Sequence, residues 1–206
     1  MIETRFEIPT LGAETLLFRP DDVADFPSIV FLTDIWGIRP ANIAMARRLA
    51  EKGFAVLLPN VLYRYSRITP DGFEPEDEKE KQKALHALFA ALTPADMESD
   101  GAAYVDVLLA QKGVKPGKVG VVGYCFTGQM ALRMAAAVPD RIVAAASFHG
   151  GFLVTRAGQP AQGPAARQGA ALFRPCGGRP VHDGGADRNL GSGAARLARR
   201  LPERDL

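Results

Sequence analysis

The chain has 206 residues, 47% of them hydrophobic, with a formal net charge of +2. That is enough for one well-buried domain and leaves little room for two. No apolar run reaches membrane-spanning length, MIETRFEIPT lacks the basic flank and apolar core of a signal peptide, and two cysteines far apart in sequence make neither a disulfide framework nor a CxxC knuckle, so a soluble cytoplasmic protein with no resident metal is expected.

Taken in chain order, FEIPTLGAETLLFRP reads as a β-hairpin, because short alternating runs flank LGAE. SIVFLTD is a continuous apolar run of buried-strand length, and after WGIRP the apolar positions Ile43, Met45, Ala46, Leu49 and Ala50 fall on one side of a helix that Gly53 stops. FAVLLP is a second buried strand. Beyond the acidic loop RITPDGFEPEDEKEK a helical pattern spans roughly 76 to 92. ADMESDGAAYVDVLLAQK is a further helix, with Pro94 or Asp96 near its start. VGVVGY is a third buried strand, MALRMAAAV a helix, and IVAAASFHG a fourth strand that ends at a Gly pair. Strands and helices that alternate in this way predict a mostly parallel sheet with helices on both faces.

Ligands in such sheets sit outside the carboxyl ends of the strands, and three residues fall there: Asp34 after SIVFLT, Asn60 after FAVLLP and Cys125 after VGVVGY. A sharp strand-to-helix turn would present Cys125 above the sheet, with Gly123, Thr127 and Gly128 as small neighbours relieving the crowding. The N-terminus of the following helix favours a thiolate and offers the Phe126 amide to an oxyanion. A cysteine among Ala and Gly also fits a small buried hydrophobe, and an aspartate at a strand end also fits a cap or a loop-backbone acceptor.

FLTDIWGIRPANIAMARRLAEKGFAVLLPNVLYR, followed by KVGVVGYCFTGQMALR, resembles the dienelactone hydrolase family of the α/β-hydrolase fold over roughly residues 10 to 155. The family writes its elbow GxCxGG. Here GYCFTG carries Thr127 in place of the first Gly of the closing pair, and Asp34 stands where the family has Glu. The resemblance implies a cysteine hydrolase of lactones or small carboxylic esters, related to carboxymethylenebutenolidase, that needs no cofactor. It implies Cys125 as nucleophile, Asp34 as the acid that pairs with the thiol, and the amides of Phe126 and Ile35 as oxyanion donors. Lys81 matches a region that supplies a basic substrate contact, although EKEKQK reads equally well as a solvated helix face. The expected partner is a small molecule, with no nucleic acid and no membrane. A nucleotide-binding reading fails because neither GxGxxG nor a P-loop Lys follows the first buried strand.

The family's triad should bring an Asp and then a His on later loops. The chain has three histidines. His86 falls on the helix beyond the acidic loop, His149 at the FHGG strand end, and His182 beside Asp183, where an adjacent acid cannot readily orient the imidazole. Composition also changes near Thr155. Residues 1–155 carry 16 Lys and Arg against 19 Asp and Glu, whereas residues 156–206 carry nine against four, all nine being Arg, and contain no Lys, Ile, Met or Tyr. The expected organisation is therefore a core over 1–155 and a Gly/Ala/Arg/Pro-rich tail over 156–206 in which the sheet is incomplete. GC-rich coding DNA read out of frame has this composition. Permitted codons for ALFRPCGGRPVHDGGADRNLGSGA, shifted by one base, spell RCFGHAADGRSMTAEQIATLEAAL, which resembles the family's next strand, catalytic-acid loop and helix. A Gly/Arg-rich tail that binds RNA or acidic surfaces is the other reading, and the tail lacks RGG-type repeats and interleaved aromatics. An impaired, truncated family member, or a binding protein on the same fold, is accordingly the alternative to an active hydrolase.

Overall fold

The computed structural model describes residues 1–65, 77, 79–80, 83–84, 87, 92–151, 153 and 170–174. Seven strands form one sheet: β1 (Ile2–Ile8), β2 (Ala13–Arg19), β3 (Phe26–Leu32), β4 (Ala55–Pro59), β5 (Val114–Tyr124), β6 (Ile142–Phe148) and β7 (Ala170–Arg174). Their spatial order is β1-β2-β4-β3-β5-β6-β7. β1 and β2 are the expected hairpin, closed at Gly12 in the left-handed region (φ 70°), and β2 meets β4 antiparallel. Every pairing from β4 through β3, β5 and β6 to β7 is parallel.

Period-two alternation sorts the strands' side chains onto two faces. Val30, Leu32, Ala55, Leu57, Val119 and Val121 point to one, and Phe31, Val56, Leu58 and Val122 to the other. Helix α1 (Pro40–Glu51) covers the second face through Ala46 and Ala50. Helices α2 (Pro94–Leu109) and α3 (Thr127–Ala137) cover the first through Met97, Tyr104, Leu108, Met130 and Met134. Burial on both faces is why the strands read as continuous apolar runs. Each fully buried Leu, Phe or Met contributes roughly 1.5–3 kcal/mol relative to exposure.

The helix ends follow local chemistry. Pro40 starts α1 at its first position, and Gly53 (φ 90°) follows its end. Thr93 caps α2: its hydroxyl accepts from the Asp96 amide at 3.2 Å, and the Asp96 carboxylate accepts from the Thr93 amide at 2.9 Å. α2 and α3 approach so closely at Gly101 that a Cβ there would lie 2.2 Å from Met134 Cγ. Of the helix expected over roughly 76–92, residues 77, 79, 80, 83, 84, 87 and 92 are described; all are helical except 77 and 92.

Two differences from the sequence reading concern strands. β5 begins at Val114, five residues before the VGVVGY run, and its pairing with β3 shifts register between Phe26 and Ser28. β7 lies beyond the change of composition at Thr155 and pairs with β6 from Ala144↔Ala170 to Phe148↔Arg174.

The chain runs from β3 through α1 to β4 on one side, and later places β5 on the other side of β3. The carboxyl ends of β3 and β5 therefore flank the point where strand order reverses, the usual crevice for a ligand in an open α/β sheet.

Candidate active site

The last β3–β5 register pair is Leu32↔Gly123, so Asp34 and Cys125 each stand two residues beyond it, at the same edge of the sheet on adjacent parallel strands. Cys125 takes a left-handed backbone (φ 54°), rare for a residue with a side chain. The cause is visible around it. Its amide donates to the Phe148 carbonyl at 3.0 Å, and its carbonyl accepts from the amides of Gly128 (3.1 Å) and Gly151 (3.0 Å). These bonds force an abrupt turn from β5 into α3.

The turn closes only over glycine. A Cβ on Gly123 would lie 2.2 Å from the Thr127 carbonyl oxygen, and one on Gly128 would lie 2.4 Å from Ser147 Oγ and 2.7 Å from Gly150 Cα. Cys125 is half-buried and is a thiol rather than half of a disulfide. Phe126, 3% exposed, adjoins the first turn of α3. Thr127, the departure from the family's elbow, sits in α3 with an ordinary helical backbone and is fully buried. Its hydroxyl donates to the Thr33 carbonyl at 2.6 Å and accepts from the Tyr124 amide at 3.0 Å.

Asp34 ends its strand in a tight turn, with the Gly37 amide donating to its carbonyl at 3.2 Å. One carboxylate oxygen accepts from the Trp36 amide at 3.0 Å, and the other pairs with the Arg39 guanidinium. Both carboxylate oxygens are thus engaged by its own loop. Ile35, buried at 5% exposure, lies within that turn. Asn60 proves to be an organiser of the loop after β4: its side-chain oxygen accepts from the Leu62 amide at 3.1 Å, and its own amide donates to the Glu14 carbonyl at 2.9 Å.

The same loop carries a cluster that sequence reasoning missed. Asp100 of α2, fully buried, is gripped by both terminal nitrogens of Arg64 (2.5 and 3.0 Å) and accepts from the Tyr63 hydroxyl at 3.3 Å. The Arg64 guanidinium lies 4.5 Å from the Tyr63 ring centre. Burial, reinforced by the Asp100 charge, pushes the Tyr63 phenol up to about 12, so Tyr63 stays a hydrogen-bond donor.

His149 follows β6 with a left-handed backbone (φ 41°) and is exposed, its ring centre 6.4 Å from that of Tyr124. Lys81, His86, Cys176 and His182 lie outside the described residues. No three His, Cys, Asp or Glu side chains gather for a metal among the described residues, and no helix among them is long and apolar enough to cross a membrane.

Residues 13–173 match the model of the dienelactone hydrolase family. The chain is 33% identical to the carboxymethylenebutenolidase of Rhodococcus opacus over 128 residues, 62% of this chain and 46% of that one. It is 31% identical to the carboxymethylenebutenolidase of Pseudomonas putida over 117 residues, 55% of this chain and 46% of that one. The chain spans about half the length of these curated relatives. In fold it is similar to a dienelactone hydrolase-like promiscuous phosphotriesterase from metagenomic libraries, with a TM-score of 0.68 at 21% identity over 95% of this chain and 76% of the other. The family match crosses the composition change at Thr155.

Proposed function

We propose, from the premise that this chain belongs to the dienelactone hydrolase family, that it hydrolyses lactones or small carboxylic esters through a cysteine nucleophile and an acyl-enzyme. The observation that carries the reading is the left-handed Cys125 at the tip of the β5–α3 turn, on the crevice where strand order reverses. Backbone strain on a residue with a nucleophilic side chain has a use at such a place, since it presents sulfur to a bound carbonyl.

In this reading the Cys125 thiolate attacks the ester carbonyl, aided by the N-terminal dipole of α3. The amides of Phe126 and Ile35 receive the oxyanion. The carbon–oxygen bond to the leaving alkoxide breaks, that oxygen takes a proton, and the acyl group remains on sulfur. Asp34, held by Arg39 and the Trp36 amide, keeps the Ile35 turn in shape, and it is the acid this reading sets beside the Cys125 thiol. Water then releases the acid, a step that needs a general base. That base is assigned to none of the three histidines, His149 being read as a structural residue of the FHGG strand end, and Lys81 is retained as a basic contact for the substrate. Small-molecule carbonyl compounds are the partners this arrangement calls for, and the cytoplasm is the compartment that suits a thiol nucleophile.

The test is pre-steady-state kinetics with p-nitrophenyl acetate. One equivalent of p-nitrophenol should appear as a burst, mass spectrometry should find the acetyl group on Cys125, and Cys125→Ala should abolish both. A burst that survives Cys125→Ala would overturn the assignment.

A further inference from the structure

The two amides assigned to the oxyanion belong to different loops, Ile35 after β3 and Phe126 after β5. Their separation is set by how the two strand ends are tied together. The backbone ladder ends at Leu32↔Gly123. Beyond it the connection is carried on by a side chain. Thr127 Oγ1 donates to the carbonyl of Thr33, the residue just before Asp34 and Ile35, at 2.6 Å, and accepts from the amide of Tyr124, the residue just before Cys125, at 3.0 Å. The Tyr124 carbonyl lies 3.1 Å from the same oxygen, but a hydroxyl has one proton to give, and the shorter contact with Thr33 takes it while a lone pair accepts the Tyr124 amide. The group is fully buried, where water does not compete for it.

We propose that Thr127 is a positioning residue, its hydroxyl bracing the Thr33–Ile35 turn against the Cys125 elbow so that the Ile35 and Phe126 amides hold the spacing an oxyanion requires. The proposal rests on the thiol-nucleophile reading. Residue 127 is where the family's elbow pattern has glycine, so the brace belongs to this chain's own side chain. Placement of an oxyanion donor matters to acylation, where negative charge grows on the carbonyl oxygen, and not to alkylation of the same thiol, where no oxyanion forms.

Two rates on the full chain separate these roles: the burst with p-nitrophenyl acetate, and alkylation of Cys125 by iodoacetamide. Thr127→Val and Thr127→Gly should each slow the burst about 10- to 100-fold, the scale of a misplaced or lost oxyanion donor. Both should alkylate Cys125 at close to the wild-type rate. Thr127→Ser, which keeps the hydroxyl, should bring the burst back to within about threefold of wild type. Urea midpoints and near-ultraviolet circular dichroism establish that each variant is folded, and if Thr127→Val is not, the Ser and Gly variants decide the matter. The proposal is overturned if the hydroxyl-free variants burst normally, if alkylation falls in step with acylation, or if Thr127→Ser is as slow as Thr127→Val. A wild-type chain without a burst sinks the thiol reading and this one together. A normal wild-type burst with an unaffected Thr127→Val sinks this one alone.

Discussion

Two loops leave the carboxyl edge of the sheet within a few strands of each other, and they are built on opposite plans. The turn after β5 is strained: Cys125 sits at φ 54°, glycines stand where a single methyl would collide, and the buried Ser147 hydroxyl beside them has no hydrogen-bond partner among the described residues. The loop after β4 is satisfied. Its buried acid, Asp100, is paired with Arg64 and bonded to Tyr63, and Asn60 closes the backbone. Both loops are polar features on an apolar scaffold, yet only the first holds a reactive group in an unfavourable conformation. Strain of this kind persists where the surroundings over-determine it, whereas a fully paired cluster anchors one element on another.

The largest expected effect strikes the strained loop. Gly123→Ala forces a methyl against the Thr127 carbonyl, which cannot yield unless α3 moves, so a loss of about 3 kcal/mol is expected. Urea denaturation should show that loss, and iodoacetamide should label Cys125 more slowly even below the unfolding transition. Normal stability in this variant would mean that the turn is slacker than its contacts imply, and the contrast would fail.

Asp100→Asn comes next. It takes the buried anion from Arg64, which keeps the Asp96 carboxylate at 3.5 Å and reaches solvent on one side, so the expected cost is about 2 kcal/mol, below the usual range for a broken buried pair. The contrast predicts that labelling of Cys125 by iodoacetamide keeps its rate in this variant. A thiol slowed by the change at Asp100 would show that the satisfied loop belongs to the site after all.

The smallest effect is at the start of α2, where Thr93 caps the helix and the exposed side of Arg64 reaches Asp96 at 3.5 Å. Thr93→Ala should cost about 1 kcal/mol, as lost helix caps do. The hydroxyl and amide of Thr93 hold the Asp96 carboxyl below its ordinary value of 3.8. A depressed carboxyl contributes stability that is full above that value and fades as pH falls through the folded-state value. The gap between wild type and variant, read from urea midpoints, should therefore narrow below pH 3.8. A gap that stayed constant down to pH 2 would separate the cap from the ionisation.

The scaffold was legible because its signals are local. Apolar runs marked β3, β4 and β6, Gly53 marked the end of α1, and the Gly-flanked cysteine after VGVVGY marked the elbow. Less was legible where long-range contacts decide. Nothing near Thr127 in the sequence announces a bond to Thr33, 94 positions away, and Arg64 and Asp100 read as ordinary surface charges until the fold joins them. Asp34 stands at the edge where its strand position puts it, but Arg39, five residues on, takes one of its oxygens, a contact that depends on how the loop turns at Gly37. The start of β5 was hidden because Pro116 and Gly117 are turn residues by propensity and lie in the irregularity between Val114 and Val119, the two residues that pair with β3 on either side of it. AALFR gave no strand signal because it is short and sits among Gly, Ala and Arg, whereas its pairing with β6 is a property of the sheet.

The hairpin that opens the chain has a bearing on how copies of the protein meet one another. β1 is the outermost strand on its side, with β2 its only neighbour in the sheet order, so its far side offers backbone donors and acceptors to any extended chain that comes alongside. Glu3, Arg5 and Glu7 are all exposed along it, and Glu3 and Arg5 are already engaged with Arg47 and Glu14. A second strand docking there would have to strip water from three charges and disturb two ion pairs. Charge on this border thus works against edge-to-edge aggregation, a hazard that the apolar interior strands would pose far more acutely in its place.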